Sequence, residues 1–103
     1  MNMEITRETR ILAEVSRQSE PARKWMLDAI AELGNAPNGN SVMPEHVSTL
    51  LSRHPDKKSF EEGAERYVKY HVYPTVPDSD KTAFQARMDA AQACVKLEKI
   101  IYR

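Results

Sequence analysis

One cysteine, Cys94, is present among 103 residues, so no intrachain disulfide can form and the stapled scaffolds of small secreted proteins are excluded. Glycine is scarce as well, limited to Gly34, Gly39 and Gly63. None belongs to a G-x-x-x-x-G-K or G-x-S-x-G pattern, so both the phosphate-cradling loop and the serine nucleophile elbow are missing. An excess of charge of one sign is absent too, since fifteen Lys and Arg balance fifteen Asp and Glu. Proteins that hold duplex nucleic acid mainly through phosphates usually carry a basic excess, and this chain has none overall. By halves the asymmetry is mild: five basic and seven acidic residues up to position 50, ten and eight after it. No run approaches the ~20 apolar residues of a membrane span. Residues 1–10 carry Glu4, Arg7, Glu8 and Arg10 with no apolar stretch that would serve as a signal peptide. The expectation is a cytoplasmic protein with no membrane partner.

What is present suits a folded domain. Hydrophobic residues make up 41% and charged residues 29%, too apolar for a disordered chain and, at this length, enough for one core. Residues 1–103 are therefore expected to form a single helical domain.

Helical periodicity runs through most of it. Ile5, Ile11, Leu12 and Val15 suggest a first helix over 4–18. Ser19-Glu20-Pro21 then punctuates the chain and offers a cap for a second helix. In that helix Ala22, Trp25, Met26, Ala29, Ile30 and Leu33 recur at the spacing of one buried stripe. Gly34 suits a left-handed C-terminal cap, and a turn-rich loop follows over 35–42. Pro44 marks the first turn of a third helix, with Met43, Val47, Leu50 and Leu51 on its apolar side and His54-Pro55 at its end. Ser59 and Glu62 match a capping box for a fourth helix, whose inner face carries Phe60, Ala64, Tyr67, Val68 and His71 and which should stop near Val72.

Two prolines stiffen a connector over 73–78, and the cluster of Tyr, Val and Thr allows a short extended segment near 69–76. Asp78 or Ser79 would cap a last helix over 80–102, with Phe84, Met88, Ala91 and Val95 sharing a face that Cys94, Leu97 and Ile101 widen. The predicted fold is an all-α bundle of four to five helices with a long C-terminal helix.

Chemistry-bearing residues are few. His46, His54 and His71 have no helical metal spacing between them and no second thiol to join them, so no metal site is predicted. His54 suits a helix C-terminus, where its charge would meet the macrodipole. Cys94 falls mid-helix at the edge of the apolar stripe, where a free cysteine behaves as a small hydrophobe rather than a nucleophile. Glu61, Glu62 and Glu65 read as a solvated helix start. No catalytic constellation or cofactor motif is recognised, so no enzymatic activity, catalytic residue or cofactor is assigned.

One segment stands apart. Between residues 66 and 73 lie Arg66, Lys69, Tyr70, His71 and Tyr73, a concentration of tyrosine and basic side chains of the kind enriched where partners dock. These five are the predicted partner-binding residues. The leading expectation is a non-catalytic protein-interaction module: a small regulator, adaptor or inhibitor acting on a larger protein or protein complex, a type that includes accessory proteins of phages and mobile elements. The alternative is a nucleic-acid-binding regulator with a variant helix-turn-helix in helices two to four. Lys57, Lys58, Arg53, Arg66 and Lys69 favour it, and Glu61 and Glu62 oppose it. An enzyme without a recognisable motif is the third reading. The band Val95, Leu97, Ile101 and Tyr102 leaves both a monomer and a homodimer through the last helix open.

Overall fold

In the computed structural model, which describes residues 6–76 and 81–103, Thr6 opens the first helix, α1 (Arg7–Ser16). Its hydroxyl accepts the Thr9 N–H at 3.1 Å, satisfying one of the donors that a helix start leaves unpaired. Ile11 and Val15 are fully buried. On the same helix Arg7 donates to the Ile101 carbonyl at 2.7 Å and Arg10 to the Ile100 carbonyl at 3.2 Å. Cations from the start of the chain thus meet the electronegative end of its last helix.

The second helix, α2 (Ala22–Gly34), begins after Pro21 without a side-chain cap; Glu20 instead pairs with Arg23 at 2.8 Å. Met26, Ala29, Ile30 and Leu33 are buried as their spacing predicts. Trp25 departs from the expected core position. It is half-buried at the rim, with the Lys24 ammonium 4.7 Å from its ring centroid. Gly34 is the last helical residue, and Asn35 rather than Gly34 takes the left-handed conformation, at φ 64°. The glycine serves a different need: a Cβ there would run into the His46 carbonyl oxygen, so its absence lets α2 cross the helix that follows.

A 3-10 turn (Gly39–Ser41) leads to α3 (Pro44–Arg53), where His46 Nδ1 accepts the Met43 N–H at 2.9 Å. Val47 and Leu50 are buried, whereas Met43 is exposed rather than part of the apolar side. The fourth helix, α4 (Lys57–Tyr67), starts two residues before the predicted Ser59 capping box. Asp56 supplies the cap, its carboxylate accepting the Ser59 N–H at 2.8 Å. Phe60, Ala64 and Tyr67 point inward.

Neither the extended segment near 69–76 nor the stop near Val72 is found. Helix α4 runs on into a π turn (Val68–Val72) and a short helix α5 (Tyr73–Thr75), and Val76 is the first extended residue after it. Pro74 supplies the physical reason: it has no N–H, and in a regular α-helix its ring would press on the Tyr70 carbonyl. A wider turn removes that conflict without ending the helix. Thr75 Oγ1 donates to the His71 carbonyl at 3.1 Å and the Val72 carbonyl at 3.0 Å, satisfying acceptors near the end of this segment. The proposed caps Asp78 and Ser79, with the rest of the 73–78 connector from position 77, lie outside the described residues.

The last helix, α6 (Lys81–Ile101), is about 31 Å long at ~1.5 Å per residue and lies chiefly against α2, with α4 and α1 on either side. It completes an all-α bundle. Its buried face meets the predicted one only at Cys94, Leu97 and Ile101. Ala83, Ala90, Ala93, Cys94, Leu97, Ile100 and Ile101 turn inward, while Phe84, Met88 and Val95 are 64%, 41% and 53% exposed. Both faces are apolar at helical spacing, and the alanine-rich one permits the closer approach to α2. Burial of Leu97 and Ile101 also removes them from the homodimer band predicted at this end. Among the described residues no helix is long and apolar enough to cross a membrane.

Candidate functional site at the π turn

The π turn forms a ridge between two depressions, and the five predicted partner-binding residues divide across it. Arg66, Tyr70 and His71 line a polar cleft of about 490 Å³, together with Glu32, Arg53 and the edges of His54 and Tyr67. Tyr73 faces the other way, into an apolar groove of about 480 Å³ whose walls include Val68, Ala91 and Val95. Lys69 stands on the crest, bordering that groove and, with Arg66 and Tyr70, a smaller depression of about 240 Å³. The segment therefore presents a cleft face and a groove face joined at Lys69.

The cleft is built on paired i, i+4 positions. Asp28 and Glu32 project from α2, and Tyr67 and His71 project from α4 and its π extension. Tyr67 donates its hydroxyl hydrogen to Asp28 Oδ2 at 2.5 Å. The rings of Tyr67 and His71 are stacked, with centroids 5.5 Å apart. His71 in turn lies 3.5 Å from Glu32 Oε2 through Nδ1 and 4.0 Å from Asp28 Oδ2 through Nε2, contacts that become ion pairs when the imidazole is protonated. Burial, reinforced by the Asp28 hydrogen bond and charge, raises the Tyr67 phenol well above its ordinary range and keeps it a donor. Tyr67 and Val72 are buried on either side, anchoring the turn from which Tyr70, 66% exposed, projects with the Lys69 ammonium 5.3 Å from its ring centroid.

The groove side is organised by α6. The Arg87 guanidinium lies over the Tyr73 ring at 4.5 Å and donates to the Val76 carbonyl at 3.3 Å, fixing α5 against α6. Tyr73 is 47% exposed. Glu61, also on the groove wall, lies beside Glu98; desolvation, followed by the neighbouring Glu61 carboxyl, raises the Glu98 carboxyl above its ordinary range. Sequence reasoning grouped Phe84, Met88, Ala91 and Val95 as one apolar face of the last helix and did not single them out as surface residues. Their 4-3-4 spacing was the available signal, but the same spacing describes a buried stripe.

The remaining candidates are dispersed. His46 caps α3. His54 is buried rather than exposed to the helix end, with Nδ1 3.0 Å from both the carbonyl and the hydroxyl oxygen of Ser59. Desolvation is the first cause that lowers its pKa. Cys94 is buried and its thiol is pushed up to about 12, mainly by burial. Among the described residues no group of three or more His, Cys, Asp or Glu side chains converges as a metal site requires. Compared with protein-family models, curated proteins and solved structures, the chain matches none.

Proposed function

We propose that this protein is a non-catalytic interaction module, a small regulator, adaptor or inhibitor that binds a larger protein or protein complex through the cleft side of the π turn. The observation that carries this reading is the setting of Tyr70. A large, 66% exposed aromatic side chain stands on a turn held from below by buried Tyr67 and Val72. Such a residue loses little conformational freedom on docking and offers both apolar area and a hydroxyl. Beside it, Arg53, Arg66 and His71 supply donors, and Glu32 the acceptor, for polar groups of the partner. The recognised surface would be a mixed one, an apolar side chain flanked by carboxylates.

Recovery of a cross-linked partner from cell extract, followed by rate measurements on the purified pair, tests the proposal. Tyr70→Ala should weaken binding by about 30-fold, the scale of an interface hot spot, mostly through faster dissociation. Charge reversal at Arg66 should mainly slow association. Wild-type affinity in Tyr70→Ala, Arg66→Glu and His71→Ala alike would remove the cleft as the docking face. The nucleic-acid alternative draws on exposed Lys57 and Lys58 in the first turn of α4. It requires a gel shift that weakens steeply with salt.

A further inference from the structure

The helix α6 carries two apolar faces and the fold covers one. The uncovered face, Phe84, Met88, Ala91 and Val95, recurs at steps of four, three and four, the 3.5-residue period of a coiled-coil seam. Three large apolar side chains left 64%, 41% and 53% exposed on one line form the kind of surface that marks an interface.

We infer that this face pairs with the same face of a second copy of the chain, the two α6 helices running antiparallel. Size complementarity selects the occupant and its direction. In the antiparallel register Phe84 packs against Val95 of the second copy and Met88 against Ala91, so each layer joins a larger side chain to a smaller one. A parallel register would oppose Phe84 to Phe84 and leave Ala91 facing Ala91, overfull at one layer and hollow at another. On one side of the seam the flanking positions are Gln85 and Gln92, which face each other across the twofold axis without charge. On the other side Arg87, stacked on Tyr73 and donating to the Val76 carbonyl of its own chain, borders the contact. The seam alone is about 17 Å long at ~1.5 Å per residue, so the adjoining groove over Val68 and Tyr73 provides the rest of the contact.

The dimer is independent of the cleft that carries the proposed partner, so one can fail without the other: Tyr70→Ala leaves the dimer intact, and seam variants leave the cleft intact. Sedimentation velocity of the full chain should show the mass rising from 11.8 kDa toward twice that value as concentration increases through the micromolar range, roughly 1 to 100 µM. Met88→Glu and, separately, Phe84→Lys should keep the chain monomeric across that range with an unchanged helical circular dichroism spectrum. Direction is read by oxidation in a Cys94→Ala background: a mixture of Phe84→Cys and Val95→Cys chains should cross-link to each other, and neither should cross-link to itself. A monomer at the highest concentration, a dimer that survives both charge substitutions, or self-cross-linking of Phe84→Cys alone would each overturn the inference.

Discussion

Gly63 and His54 occupy one space: a Cβ on Gly63 would lie 2.7 Å from Cε1 of the His54 ring. The helix interior gains nothing from glycine itself, which costs about 1 kcal/mol relative to alanine. Its value here is room for a buried imidazole. Gly63→Ala should therefore destabilise the protein by about 1 to 2 kcal/mol despite the better helix former, because overpacking outweighs propensity. Gly34→Ala should cost more, since its Cβ would meet backbone, the His46 carbonyl, instead of a side-chain ring. Denaturant melts of both variants, with His54→Ala added to relieve only Gly63→Ala, check the ordering.

The same imidazole sets an acid limit. Burial lowers the folded-state pKa of His54 below its ordinary 6.5. The unfolded chain therefore takes up the proton first, and the stability associated with neutral His54 is complete above pH 6.5. It declines as pH falls from there through the folded-state pKa. Melting temperature should drop between pH 7 and 5, and His54→Gln should flatten that part of the profile. An unchanged slope in the variant would show that another group controls it.

The hydrogen bond from Tyr67 to Asp28 joins α4 to α2 across 39 positions of sequence. Hydrogen bonds to charged groups contribute roughly 1.5 to 3 kcal/mol, so Tyr67→Phe should lower stability by that amount while keeping the ring buried. Asp28→Asn retains an acceptor and should cost less. Chemical denaturation of the two variants and their combination separates the pair term from the effect of His71 beside it.

Burial also predicts which α2 residue matters most to the core. Met26 is fully buried and Trp25 only half so. Met26→Ala should cost roughly 2 to 5 kcal/mol. Trp25→Ala, despite the larger side chain, should cost less than Met26→Ala, because water already reaches the ring. The reverse order in thermal melts would place tryptophan at the centre of the core.

Cys94 should be unreactive in the native protein. With its thiol at about 12, only about one molecule in ten thousand is thiolate at pH 8, and access is closed by burial. A thiol reagent should label it at the rate of unfolding, and labelling should become fast in denaturant. Rapid labelling of the folded chain would mean that the α6 groove opens to its floor.

Much of the fold was legible before any coordinates. The α2 stripe of Met26, Ala29, Ile30 and Leu33, the inward Phe60, Ala64 and Tyr67, and the long last helix all follow from periodicity, since a helix in water must bury its apolar side. The helix ends were less legible. Asp56 rather than Ser59 caps α4, and Asn35 rather than Gly34 turns left-handed, because neighbouring residues offered equivalent local chemistry. The continuation through Tyr70 and Tyr73 was hidden as well: Pro74 locally argues for an end, and the π turn that accommodates it has no sequence signature. Only the tertiary structure decided the two facts on which the functional reading stands. It set Tyr70 and Tyr73 on opposite sides of one ridge, and it chose between two apolar faces of α6. Periodicity identifies a face as apolar; which of two such faces meets the core depends on how closely a neighbouring helix can approach, and α2 packs against the alanines.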